Sequence, residues 1–411
     1  MIAAPRKQLG QLLRRPPRYG INAAAVPLRP GIPPYIRITD IDEHGRFAPD
    51  PKVGVDHPGA AGYRLSDGEL VFARTGASVG KSYLYDPRDG ELVYAGFLIN
   101  IAPDKAVLNP RYLALYAQTK EYWDWIARTS VRSGQPGVNG REYATLEVPV
   151  PDIATQEAIV EAVQGAEDQA RILERLITKK QAIKQGMMQE LLTGRTRLPG
   201  FSDPWRPFRL RDMGSTYGGL AGKDKDDFGT GASLYVTFLE VMASARLLGQ
   251  RLERVSVRPG ERQNQVRRGD ILFNGSSETP EEVALAAVVD YDPAPRTYLN
   301  SFCFGYRLAE AKVVDPLYLA YFFRSGVGRR LIASLAQGAT RYNISKTKLL
   351  ELSPLLPRFE EQRAIVEVLS TIEDELHLIN TRLAKARDIK QGMMQELLTG
   401  RTRVPVQEAV A

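Results

Sequence analysis

The run IKQGMMQELLTGRTR occupies residues 183–197 and returns letter for letter at 389–403, an offset of 389 − 183 = 206 residues. Fifteen identical letters in two places require an internal duplication, so the chain folds as two like halves. The match continues upstream. Thr155-Gln156-Glu157-Ala158-Ile159-Val160-Glu161-Ala162-Val163 faces Glu361-Gln362-Arg363-Ala364-Ile365-Val366-Glu367-Val368-Leu369, and 361 − 155 is again 206. With 411 residues in all, each copy accounts for about half of the chain.

Within each copy the hydrophobic period changes part-way. After Pro151, apolar residues fall at Ile159, Val163, Ala166, Ala170, Leu173 and Ile177, in alternating steps of four and three. That is a heptad seam. It drifts on through Ile183, Met187 and Leu191 to Gly194, a natural helix stop. A helix from about residue 155 to 192 would be roughly 57 Å long, and a solitary helix of that length has nothing to pack against. The second copy supplies a partner: Ile365, Leu369, Ile372, Leu376, Ile379 and Leu383 hold the same positions, followed by Met393 and Leu397. The intervening domain lets the two helices pair antiparallel. The competing reading is two core helices of separate bundles. Faces beyond the mutual seam, including Met187, Met188, Met393 and Met394, are expected to need cover from a partner.

The globular portions correspond more loosely. Tyr19-Gly20 faces Tyr217-Gly218, Tyr35-Ile36 faces Tyr235-Val236, Gly68-Glu69-Leu70-Val71-Phe72 faces Gly269-Asp270-Ile271-Leu272-Phe273, and Asn109-Pro110 faces Asp315-Pro316. Their offsets climb in small steps from 217 − 19 = 198 to 315 − 109 = 206, as loop insertions in one copy would make them do. The stretch from Tyr35 to Ile41 alternates like a half-buried strand, and Asn109 with Pro110 reads as the cap and first residue of a helix. Near-identical helices with divergent globular domains suggest two halves that attach to the same thing but read different things.

One cysteine (Cys303) and three histidines exclude a disulfide framework and an ordinary structural zinc site. No apolar run has membrane-spanning length and no signal peptide is evident, so a cytoplasmic protein without a membrane partner is expected. A net charge of +7 with pI near 9.3 leans toward an anionic partner. Catalytic signatures fail one by one. Gly76-Ala77-Ser78-Val79-Gly80-Lys81-Ser82 has three residues between its glycines where a phosphate-binding loop has four, and its counterpart near Asn274 lacks lysine. Glu310-Ala311-Lys312 lacks the upstream Pro-Asp of a nuclease metal site. Cys303 sits between phenylalanines, where a buried thiol is the default. A non-catalytic chain, with no metal and no cofactor of its own, is expected.

What remains is polar loop chemistry suited to base edges. The candidates in the first half are Arg74, Thr75 and Lys81 after one strand, and Arg132, Ser133, Gln135 and Asn139 in the loop 130–139. Those in the second half are Asn274 and Ser276, with Thr340, Arg341, Tyr342 and Asn343 in the loop 337–343. Arginine can pair bidentately with guanine, asparagine and glutamine with adenine. The plain alternative is that these are solvated turns and helix caps.

In this order, and twice, these motifs resemble the specificity subunit of type I restriction-modification systems. The resemblance spans all 411 residues and rests on Tyr19-Gly20-Ile21-Asn22, the stretch from Tyr35 to Ile41, Ala73-Arg74-Thr75-Gly76 with its following turn, Glu361-Gln362-Arg363-Ala364-Ile365 and both Leu-Leu-Thr-Gly-Arg-Thr-Arg endings. One departure is Thr155-Gln156-Glu157, where the family shows Glu-Glu-Gln. The resemblance implies an α+β fold of two pseudo-symmetric halves, each a globular α/β target-recognition domain followed by a long helix, the helices pairing as an antiparallel coiled coil. The expected bounds are 1–151 and 195–354 for the recognition domains (195–205 a linker), 152–194 and 355–400 for the helices, and 401–411 for a tail. The implied partners are double-stranded DNA, two copies of the modification subunit and a restriction subunit. S-adenosylmethionine, ATP and magnesium would belong to those subunits. A two-headed assembly scaffold that binds no DNA is the alternative.

Overall fold

The computed structural model describes residues 4–132, 134–310, 313–338, 341–400 and 402. The chain divides into two compact units, Met1–Glu174 with Thr381–Ala411, and Arg175–Asn380. The division cuts each long helix in two, so each unit combines a globular domain with a portion of both helices.

In the first unit, one four-stranded antiparallel sheet runs in the order Arg18–Tyr19, Leu98–Ile101, Leu70–Ala73, Ser82–Leu84. Its central strands, Leu-Val-Phe-Ala and Leu-Ile-Asn-Ile, are buried along their whole length, which explains why they read as continuous rather than alternating runs. Leu70, Phe72, Ile99 and Ile101 enter a core with Tyr112, Tyr122 and Tyr143, while Val71, Ala73 and Leu98 face a second core with Tyr83 and Tyr94. A second sheet runs Ala25–Pro27, Val53–Val55, Pro34–Ile36, Val93–Tyr94, its last pair parallel. The strand expected through Ile41 stops at Ile36, because Asp40 accepts bonds from the Arg37 amide and guanidinium and winds Ile38–Asp40 into a 3-10 turn.

The second unit repeats this plan. Ile271–Asn274 lies between Cys303–Leu308 and Ala286–Val289. Tyr35-Ile36 and Tyr235-Val236 match, since both lie parallel to equivalent strands, Val93–Tyr94 and Thr297–Leu299. Gly68 and Gly269 share a left-handed φ of 80° and 83°, and Asn109 and Asp315 both cap a helix that begins with proline. The fourth expected match is shifted by one residue. Tyr19 pairs with Ile99, whose counterpart Phe304 pairs with Gly218, so Gly218 rather than Tyr217 stands where Tyr19 stands.

Both long helices have 39 residues, Ile153–Leu191 and Phe359–Leu397, where 152–194 and 355–400 were expected. The second starts later than expected because Leu355–Leu356 is a strand paired with Arg206–Pro207, with Pro357 following. The linker 195–205 is built into the fold: Arg197 grips Glu361 at 2.6 and 2.7 Å and lies over the Trp205 ring. Thr155, at the position of Glu361, bonds to Asp152 instead.

Within each unit the two helix portions run antiparallel. In the first, Glu167 pairs with Lys390 and Glu174 with Arg387; in the second, Lys180 pairs with Glu375 and Lys184 with Glu373. Partner numbers fall as the first helix rises. The seam past Ile177 therefore continues through Lys180 and Lys184, whose stems cover it while their ammonium groups meet glutamates. Ile183, expected on the seam, is exposed. Leu173, Ile177, Ile372 and Leu376 are half-buried, and Ile379 and Leu383 are buried.

The ends of the seam do something else. Ile159 and Val163, with Met394 and Leu398, are buried in the core of the first unit's globular domain. Met188, Leu191 and Leu192, with Ile365 and Leu369, are buried in that of the second. Met188 and Met394 thus need no external cover, and Met187, Met393 and Leu397 are half-buried. This explains the verbatim repeat: Met-Met-Gln-Glu-Leu-Leu-Thr-Gly closes one globular core in each unit. Both copies stop alike, with Gly194 and Gly400 at φ 69° and 74°, and with the Thr196 and Thr402 amides donating to the Glu190 and Glu396 carbonyls. Among the described residues no helix is long and apolar enough to cross a membrane.

Candidate nucleic-acid interface

The two stretches singled out in each half lie side by side. In the first unit Thr75 bridges Gly137, the Gly76 amide donates to Pro136 O at 3.0 Å, and the Val138 amide donates to Arg74 O at 2.8 Å. Gly76 has a φ of +72°, a left-handed conformation that favours glycine, and the exposed Gln135 side chain reaches over it. In the second unit Ser276–Ser277 pairs with Tyr342–Asn343, and the Ile344 amide donates to Gly275 O at 3.2 Å. Gly275 and Ile344 are the counterparts of Arg74 and Val138, so both units join these loops in one register.

A third turn completes the array. The Arg74 amide donates to Phe97 O at 3.0 Å and the Gly275 amide to Phe302 O at 2.8 Å. Each unit therefore presents three parallel features: an aromatic tip, a central turn after a buried strand, and a polar loop.

Side chains fill this common frame differently. Arg74 lies over the Tyr19 ring at 4.9 Å, and the Tyr19 hydroxyl accepts a bond from the Gly140 amide. Arg341 lies 5.6 Å over Phe302. Neither arginine has an ion pair among the described residues, so both guanidiniums keep donors for a ligand. Gln135 and Asn343 are exposed, Thr75 and Tyr342 half-buried, and Ser276 buried down to 6% exposure. Ser133 and Thr340 lie outside the described residues, as does Lys312 of the Glu310-Ala311-Lys312 run.

Four expected contacts are committed elsewhere. Asn274 is wholly buried; its amide donates to Ser276 O and Glu282 O and accepts from the Leu285 amide, leaving nothing for a base. The Asn139 side-chain oxygen caps the helix Gly140–Ala144 in a reciprocal box with Glu142. Arg132 pairs with the same Glu142 and donates to Thr129 O and Val131 O at a helix end. Lys81 is held by Glu43 at 2.6 Å. Of the basic candidates, Arg74 and Arg341 carry the open charge.

Sequence reasoning missed Phe97, Phe302 and Lys346. Lys346 opens the helix Lys346–Leu350, and its ammonium stands 3.6 Å from where a Gly218 Cβ would be. Aligning Phe97 with Phe302, offset 302 − 97 = 205, between the matched glycines and the matched caps would have found the two tips. Cys303 is buried, and burial pushes its thiol up to about 12. Among the described residues no cluster of histidine, cysteine and carboxylate side chains could hold a metal ion.

No protein-family profile matches the chain. It is 24% identical over 371 residues, 84% of its length and 80% of the relative's, to a Methanocaldococcus jannaschii protein named as specificity subunit of the type I restriction enzyme MjaX. It is 18% identical over 357 residues to the MjaVIII specificity subunit of the same organism, covering 83% of this chain and 80% of that one. The fold matches an HsdS subunit from Thermoanaerobacter tengcongensis at TM-score 0.51 and 17% identity, over 98% of each chain. It also matches a type I restriction-modification S subunit from M. genitalium at TM-score 0.58 and 11% identity, over 97% and 96%. The chain is HsdS-like. It resembles specificity subunits of type I restriction-modification systems in sequence and fold.

Proposed function

We propose that this HsdS-like chain reads a split, asymmetric DNA site and directs partner subunits to methylate adenine or cleave there. The observation that carries this reading is the repeated three-part array, one register in both units but different side chains at matched positions. Two readers of one build, differently equipped, suit two different half-sites. The open guanidiniums of Arg74 and Arg341 suit guanine or phosphate, and the net charge of +7 suits a polyanion. The paired helices would act as spacer and as dock for two copies of the modification subunit. Exposed Ile172 and Ile389 in the first unit, and Leu176, Ile183 and Leu378 in the second, are apolar surface for such a partner. In this reading the chain is non-catalytic and works in the cytoplasm. S-adenosylmethionine sits on the modification subunits, and ATP and magnesium serve the restriction subunit.

The test is a genome-wide map of methylated adenine with this gene present and deleted. A split motif that vanishes on deletion is expected. Unchanged methylation, together with an absence of salt-dependent DNA binding, would instead leave a protein scaffold. Half-sites about one helical turn apart are expected, and one heptad inserted in one helix should change the unread spacer or abolish binding.

A further inference from the structure

Both units expose one large aromatic ring at the same point of the fold. Phe97 is 57% exposed and Phe302 59%, each on the turn that enters a strand whose first four residues are buried. Leaving a phenylalanine in water forgoes its contribution to a core, and these rings are not loosely attached. Phe97 O accepts from the Arg74 amide, and the Leu98 amide closes the turn onto Ala95 O at 2.8 Å. Phe302 O accepts from the Gly275 amide, its own amide donates to Asn300 Oδ1 at 2.9 Å, and the Cys303 amide closes onto Asn300 O. Around the tips almost everything differs: Gly96 against Ser301, Leu98 against Cys303, Tyr19 against Gly218. The ring and its clamp stay.

We propose that Phe97 and Phe302 are DNA-contacting residues, each pressing its ring against base atoms of its own half-site. This rests on the DNA-reading function proposed above. The surroundings favour bases over another protein as the occupant. The polypeptide of each tip is bonded to the turn carrying the candidate base-edge groups, and Arg341 holds an open positive charge over the Phe302 ring. A cation beside an apolar tip matches a ligand whose charged backbone flanks apolar base surfaces. Rigid apolar side chains are used in this way, against thymine methyl groups or as wedges at base steps.

The experiment titrates the full chain, purified with the subunits that accompany it, against a duplex carrying both mapped half-sites, from low to moderate salt. Phe97→Ala and Phe302→Ala should each weaken binding about tenfold. The slope of affinity against salt should stay unchanged, because a phenyl ring displaces no counterion. Arg74→Ala should weaken binding and flatten that slope by about one. Scrambling the first half-site should abolish the effect of Phe97→Ala and leave that of Phe302→Ala. Wild-type affinity in both phenylalanine variants would overturn the inference while salt-dependent wild-type binding upholds the DNA-reading function. So would a flattened slope, a matching fall in Tm, or loss of accompanying subunits at unchanged DNA affinity. A wild-type complex that ignores DNA would remove the function itself.

Discussion

At one place in the sheet the first unit has Tyr19, Arg74 and Gly140, and the second has Gly218, Gly275 and Lys346. The backbone is the same, yet the bulk and charge come from different elements. In the first unit a ring on the edge strand carries an arginine from the central turn. In the second, both those positions are glycine, and a lysine from the following short helix stands over the space. Elsewhere the units share side-chain bonds at matched positions. Gln156 and Gln362 are both fully buried, both accept from the amide of a helix cap in their own unit (Asn109 or Asp315), and both donate to a proline carbonyl. The difference teaches where variation concentrates: the array is re-equipped, while the glutamine bonds that join globular domain and helix are kept.

The largest expected asymmetry lies away from the array. Arg324 donates to the carbonyls of Val241, Met242, Ser244 and Ala286, whereas its counterpart Gln118 makes one weak bond to Ala114 O. Burial lowers the Arg324 guanidinium to about 10, so it remains charged at neutral pH. Arg324→Ala strands four carbonyls and should cost about 3 kcal/mol. Gln118→Ala should cost less than about 1 kcal/mol. Urea unfolding of both variants measures this, and equal losses would break the comparison.

The matched glutamines should behave as a pair. Gln156→Ala and Gln362→Ala each orphan a buried amide and at least one carbonyl, for about 2 kcal/mol. Similar shifts in thermal unfolding are expected for the two. A large disparity would mean that the joint is not equivalent in the two units.

At the array, Arg341→Ala should relax the second half-site by about 1–2 kcal/mol of discrimination, read as new methylated sequences on the genomic map. Arg132→Ala should do less, because its guanidinium already serves Glu142 and two carbonyls. Equal relaxation from both would restore Arg132 as a reader.

The duplication and the helices were legible because identical letters and a heptad period are properties of residue type alone. The lysines on the seam were not: Lys180 and Lys184 fit it only through glutamates 189 to 195 residues away. The same limit explains the array. Its loops could be placed from their order in each half, but Asn274 offers the same donors and acceptor to a base as to the backbone. Only packing shows that the backbone took them. The one-residue shift at Tyr19 was hidden because Tyr-Gly recurs in both halves, while register is set by the partner strand. Phe97 and Phe302 carry no periodic signal at all.

The smallest expected effect concerns a matched pair in the core. Cys303 and Leu98 occupy one position at the head of equivalent strands, and both are almost fully buried. Burial holds the Cys303 thiol near 12, so almost no thiolate exists at pH 8. Iodoacetamide should leave the native chain unmodified at that pH and label it fully once unfolded, as mass spectrometry can score. Cys303→Ala should change stability by only about 1 kcal/mol, since a small side chain leaves a small cavity. Leu98→Ala should cost about 3 kcal/mol at the same point of the other unit. If the two truncations cost the same, the units share a backbone frame there but not its packing, and their equivalence would stop at the main chain.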